Sequence, residues 1–197
     1  CIAKSFITSS SASLNLISLL SPILFIDFAS LLFIAWPVAK AKTVSFVEVS
    51  PSTLIDISGI DELKFVKDNK NSIEIGSMTT HYDVSSSDIV LNKLPSLASL
   101  AEGIGDPHVR NMGTIGGSIS NNDPTACYPT ACLSLRATIK TNKREISAED
   151  FFIGLFHTAL DDNEIVMSVE FNIPQKSCYM KFPNPASRYA MAGVYIS

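Results

Sequence analysis

The feature that most constrains this chain is the run Met112-Gly113-Thr114-Ile115-Gly116-Gly117-Ser118, followed at once by Asn121-Asn122-Asp123-Pro124. Glycine has no Cβ and takes positive φ at little cost, so such a run lets backbone approach a neighbour closely and can turn successive N–H groups toward one point. Thr114 and Ser118 add short hydroxyl donors. Asp123 with Pro124 behind it reads as the N-cap and first position of a helix, an end that favours anions. On the residues alone two readings stand level: a loop that cradles phosphate, and a glycine-rich turn ahead of a capped helix. The spacing is neither G-x-G-x-x-G nor G-x-x-x-x-G-K-[ST], which removes the Rossmann and P-loop readings.

The 197 residues suffice for one ordinary domain or two small lobes. The formal charge of -4, with both signs interspersed, provides no footprint for a polyanion, so nucleic acid is not an expected partner. Cys1, Cys127, Cys132 and Cys178 lack the spacing of a zinc or iron–sulfur site and read as a reduced, cytoplasmic set. His81, His108 and His157 are scattered, and no protein-bound metal is expected.

The expected architecture is α+β. Thr53–Ile57, Ser72–Gly76, Ala137–Thr141 and Glu164–Ile173 read as strands. Leu91, Leu94, Leu97, Ala98, Ala101 and Ile104 recur at helical spacing after Asp88, and Gly103 and Gly105 close that helix. A second helix is expected from Pro124 to about Leu135, with Pro129 imposing a kink or a late start. A third is expected over Ala148–Phe156 behind a Ser147 cap. Residues 1–48 differ in composition from the rest, and Leu14–Ala39 is nearly all apolar. That stretch is long enough to span a bilayer, but Pro22, Asp27 and Pro37 argue against a membrane helix. The organisation expected is 1–48 anomalous, 49–175 a binding domain, and 176–197 the start of a further lobe.

The run Asp106-Pro107-His108-Val109-Arg110-Asn111 through Ser118, then Asn122-Asp123-Pro124 and Tyr128-Pro129, closely resembles the FAD-binding medium subunit of molybdenum hydroxylases. The aerobic carbon monoxide dehydrogenase type is nearest and xanthine dehydrogenase more distant. Pro51-Ser52-Thr53-Leu54-Ile55-Asp56-Ile57, Ile75-Gly76-Ser77-Met78-Thr79-Thr80 and Phe182-Pro183-Asn184-Pro185-Ala186-Ser187-Arg188-Tyr189 agree with it. The resemblance implies a PCMH-type FAD-binding fold of two α/β lobes, the first corrupted here and the C-terminal lobe truncated. It implies an electron-transfer oxidoreductase subunit with FAD as cofactor, a molybdopterin-binding large subunit and a 2Fe-2S small subunit as partners. It places cofactor contacts on Thr114, Ile115, Gly116, Gly117, Ser118, Asp123, Val166 and Lys181. An aspartate usually precedes the Tyr-Pro pair; here Cys127 stands there, leaving Asp123 as the nearby carboxylate.

The family's other phosphate loop, Ala-Gly-Gly-Gln-Ser, should precede the Pro51–Ile57 stretch, where Ala35-Trp36-Pro37-Val38-Ala39-Lys40-Ala41 is found instead. No glycine occurs in residues 1–48. Codons for Ala35–Ala41 read from the third base of Ala35 permit Leu-Ala-Gly-Gly-Gln-Ser, so residues 1–48 are expected to be an out-of-frame translation. The competing expectations are a self-contained flavin oxidase of related fold, a membrane-anchored binding protein, and a degenerate fragment that binds nothing.

Overall fold

Residues 55–197 are described in the structure, a computed structural model. The unusual N-terminal stretch and the start of the first expected strand lie outside them; Ile55–Ile57 carry no strand. Further on, alternation of apolar and polar residues builds the sheet. In β1 (Val66–Asp68), β2 (Ser72–Gly76), β3 (Thr138–Thr141), β4 (Glu145–Ser147) and β7 (Val166–Asn172), every pairing is antiparallel, in the order β1-β2-β7-β3-β4. Ile73 and Ile75 of β2, Ile139 of β3 and Val169 and Phe171 of β7 point to one face and are fully buried. Each contributes roughly 1.5–3 kcal/mol through the apolar surface it removes from water. On the other face Glu74 and Glu170 stand directly opposite each other across β2 and β7. Lys140 of β3 bridges them, its Nζ 3.3 Å from Glu74 and 2.8 Å from Glu170.

Between β2 and β3 the chain makes six short helices: α1 (His81–Ser86), α2 (Asp88–Lys93), α3 (Pro95–Glu102), α4 (Pro107–Met112), α5 (Ile115–Asn121) and α6 (Tyr128–Ser134). They carry Val84, Val90, Leu97, Leu100, Ile119 and Tyr128 into the same core as the buried sheet face. After β4 follow α7 (Ala148–Phe151) and the small hairpin β5 (Phe152–Gly154) with β6 (His157–Thr158). The fold is the α+β architecture expected.

Three helix boundaries depart from expectation. The helix after Asp88 is two helices, because Leu94 precedes Pro95 and sits at φ -142°, ψ 60°, outside the α region that a following proline disfavours. The helix expected from Pro124 starts at Tyr128, where Pro129 falls in the first turn and its missing N–H is not needed. Asp123 caps a local turn instead: its Oδ1 accepts from the Thr125 N–H at 2.7 Å and from the Thr125 hydroxyl at 2.6 Å. The Ser147 cap is in place, its Oγ accepting from the Asp150 N–H at 3.2 Å, yet the helix ends at Phe151 because Phe152–Gly154 pairs with His157–Thr158.

Beyond the main sheet, β8 (Cys178–Pro183) and β9 (Ala190–Ile196) form an antiparallel hairpin. Its inner face seats Tyr195, whose hydroxyl hydrogen-bonds the Ser96 hydroxyl of α3. Met180, Phe182, Val194 and Ile196 lie exposed on its outer side.

Candidate functional site

The glycine run does not form the positive-φ nest its composition allows. Gly113 lies at φ -71°, ψ 141°, and Gly116 and Gly117 are inside α5; among the described glycines only Gly105 has positive φ, at 53°. The run instead zips against the segment that follows β2. The His81 N–H donates to the Gly113 carbonyl at 2.9 Å, Ile115 to Thr79 at 3.1 Å, and Gly116 to Ser77 at 2.9 Å. Thr114 caps α5, its Oγ1 accepting from the Gly117 N–H at 3.1 Å. Backbone amides at 115, 116 and 117 are therefore satisfied within the protein. The missing side chains make this contact possible: a Cβ on Gly113 would stand 2.6 Å from His81 Nε2, and one on Gly116 would stand 2.5 Å from the Ser77 Cβ.

Beside this zipper lies a cleft of about 720 Å³, counting the open solvent at its mouth. One wall is His81, Ile104, Gly105, Val109 and Gly113; Ser118, Asn121 and Asp123 continue it along the far end of α5. The β8–β9 hairpin adds Lys181, Ser187, Arg188 and Tyr189 to the lining. The hairpin turn is built by Asn184, whose Oδ1 accepts from the Ala186 and Ser187 N–H groups at 2.9 and 3.1 Å. Lys181 reaches across to α3, its Nζ donating to the Gly103 carbonyl at 2.9 Å. Cys127, buried at the start of α6, also lines the cleft.

Of the eight residues that the resemblance marks, the structure brings Ser118, Asp123 and Lys181 together in the cleft. Thr114, Ile115 and Gly116 are buried in the zipper, and Gly117 takes the cap bond. Val166 is buried at the start of β7, paired with Thr141. Asn122 of the same run is engaged elsewhere: its Nδ2 donates to the Gly154 and His157 carbonyls at 2.7 and 3.0 Å. Sequence reasoning missed His81, Ile104 and Val109 as cleft residues. Val109 lies in the run that carries the resemblance but has no polar group to suggest a role, and His81 and Ile104 lie outside the runs that carry it, so nothing local singles them out.

Electrostatically the cleft joins the cations of Lys181 and Arg188 with the carboxylate of Asp123, a set able to hold an anion and accept from hydroxyls. His81 in the wall is driven the other way. Burial, with the Arg110 charge acting in the same sense, lowers its pKa to about 4. Its imidazole is neutral at ordinary pH.

Residues 41–176, most of the chain, match the family described as FAD binding domain in molybdopterin dehydrogenase. The chain belongs to that family. It is 39% identical over 155 residues to the glyceraldehyde dehydrogenase medium chain of Sulfolobus acidocaldarius, covering 76% of this chain and 55% of that one. It is 36% identical over 152 residues to the carbon monoxide dehydrogenase medium chain of Hydrogenophaga pseudoflava, covering 73% and 52%. The fold is similar to a crystal structure of a Cu,Mo-CO dehydrogenase in its cyanide-inactivated form, with TM-score 0.72, 28% identity, and 75% and 54% of the two chains covered. It is similar also to quinoline 2-oxidoreductase from Pseudomonas putida 86, with TM-score 0.70, 29% identity, and 74% and 53% covered. The chain spans about half the length of the curated relatives it matches.

FAD is the cofactor of this FAD-binding domain family, and the cleft fits it in kind. Lys181, Arg188, Ser118 and Asp123 are the donors and acceptors a dinucleotide of phosphates and hydroxyls requires. His81 Nδ1, buried without a hydrogen-bond partner among the described residues, adds an unclaimed polar atom in the same wall. No group of three or more His, Cys, Asp or Glu among the described residues is placed to hold a metal, and no described helix is long and apolar enough to cross a membrane.

Proposed function

We propose that this chain is the FAD-carrying, electron-transfer subunit of a cytoplasmic molybdenum hydroxylase, assembled with a molybdopterin-binding large subunit and a 2Fe-2S small subunit. When bound, the flavin accepts electrons delivered from the partner centres and passes them to an external acceptor. The chain's own residues position the cofactor. Ser118, Asp123 and Lys181 hold it from the cleft, while Thr114, Ile115, Gly116, Gly117 and Val166 act from behind by fixing the α5 zipper and the start of the central strand β7. The observation that carries this reading is the convergence of Lys181 from the C-terminal hairpin with Ser118 and Asp123, some sixty residues earlier, on one cleft in a chain of this family. Substrate choice then belongs to the molybdenum subunit. Of the residues 1–48 expected to be an out-of-frame translation, 41–48 fall inside the family match, so the proposal is confined to residues 1–40; codons of Ala35–Ala41 that exclude glycine in the shifted frame overturn it.

The test is FAD retention. A chain with the Ala35–Ala41 stretch restored to the shifted frame should keep yellow absorbance through gel filtration with FAD, the unrestored chain should bind FAD much more weakly, and Lys181→Met should lower the affinity about tenfold, the loss of one charge-assisted hydrogen bond. A restored chain that stays colourless in excess FAD overturns the reading. Co-expression with the two partner subunits should yield one co-purifying assembly.

A further inference from the structure

His81 is held on three sides and satisfied on none of them at Nδ1. Its backbone N–H donates to the Gly113 carbonyl at 2.9 Å, its ring lies 5.4 Å from that of Tyr128 with a 40° tilt, and the absent Gly113 side chain makes room for Nε2. The ring forms part of the cleft wall but is only 5% exposed. Its Nδ1 is buried with no hydrogen-bond partner among the described residues. Buried polar atoms are nearly always satisfied, and of the unpartnered ones among the described residues, which include the Ser77 and Tyr128 hydroxyls, His81 Nδ1 is the one on a residue lining the cleft, which points to a group that arrives with the ligand. Resting on the FAD reading above, we propose that His81 is a cofactor-binding residue whose imidazole hydrogen-bonds a polar group of bound FAD. Because desolvation keeps the ring neutral, it presents one donor and one acceptor nitrogen, and it brings no net charge beside the flavin. Nδ1 has essentially no accessible surface in the free chain, so the ring turns or the wall opens as ligand enters.

Nitrogen-15 NMR of the histidine-labelled restored chain tests this directly. FAD addition should move the His81 ring-nitrogen resonance, assigned by its loss in His81→Phe, and leave those of exposed His108 and His157 in place. His81→Phe, which keeps an aromatic ring against Tyr128, should weaken FAD binding about tenfold, the value of one hydrogen bond. A His81 resonance that stays fixed while flavin absorbance shows FAD bound overturns the proposal and leaves the functional reading intact. A restored chain that binds no FAD overturns both.

Discussion

Gly116 donates its N–H to the Ser77 carbonyl at 2.9 Å, and a Cβ built on it would lie 2.7 Å from that same oxygen. The contact joins the start of α5 to the turn after β2, and it tolerates no side chain. Gly116→Ala should therefore destabilise the protein by about 2 kcal/mol. The helix propensity gained, about 1 kcal/mol, is outweighed by pushing two backbones apart. A lower urea midpoint with an unchanged m-value confirms it; an unchanged midpoint shows that the zipper yields freely.

The neutral His81 makes stability fall with acid. Its folded pKa of about 4 lies below the ordinary value of 6.5, so the unfolded chain takes up this proton first. Stability contributed by the neutral ring is complete above about pH 6.5 and is lost as pH falls toward 4, at up to about 1.4 kcal/mol per pH unit. Urea midpoints between pH 7 and 5 should fall more steeply for the wild type than for His81→Phe. Equal slopes contradict the burial assigned to this ring.

Glu164 is fully buried, and Arg144 grips it twice, Nε to Oε1 and Nη2 to Oε2, both at 3.0 Å. Burial by itself raises a carboxyl pKa, but hydrogen bonds from Arg144, the Asp161 N–H and the Thr141 hydroxyl, with the Arg144 charge, outweigh it and hold the group down to about 2. Arg144→Met strands the carboxylate and should lower the urea midpoint at pH 7. A depressed folded pKa contributes stability above the unfolded value of 4.5 and loses it as pH falls toward 2. The gap between variant and wild type should therefore narrow below about pH 4, and Glu164→Gln should recover part of the loss in the Arg144→Met background. A gap that holds constant with pH would show packing to be responsible.

Lys140 separates two carboxylates that the register forces together. In Lys140→Met, Glu74 and Glu170 face each other across β2 and β7 with no cation between them. A like-charge pair opposed in a sheet is destabilising, and the expected loss is about 1 kcal/mol. Adding Glu74→Gln should restore most of it. Thermal unfolding of the two variants measures both steps, and a double variant no more stable than the single one rejects the repulsion argument.

The strands were the most legible part of the sequence. Ser72–Gly76 alternates in residue type, with Ile73 and Ile75 turned into the core and Glu74 between them on the polar face. The Ser147 cap was legible as well, since it depends on residues three apart. The helix ends were less so. Pro95 cut one helix in two and Pro129 set the start of another, outcomes that depend on which helical position a proline occupies once neighbours have packed. Phe152–Gly154 left its helical reading because a partner strand was available, which is a pairing the local sequence does not encode.

By itself the sequence determined the family, the α+β class and the presence of a glycine run that something must approach closely. Those are properties of residue identity at short spacing, where propensity and steric size act directly. Only the tertiary structure decided what approaches the glycines: the Ser77–His81 backbone, with the open cleft lying alongside. The same holds for His81 facing Tyr128 and for Lys181 reaching Gly103. Their partners are distant in the chain, and burial brings them together through the core rather than through any local pattern.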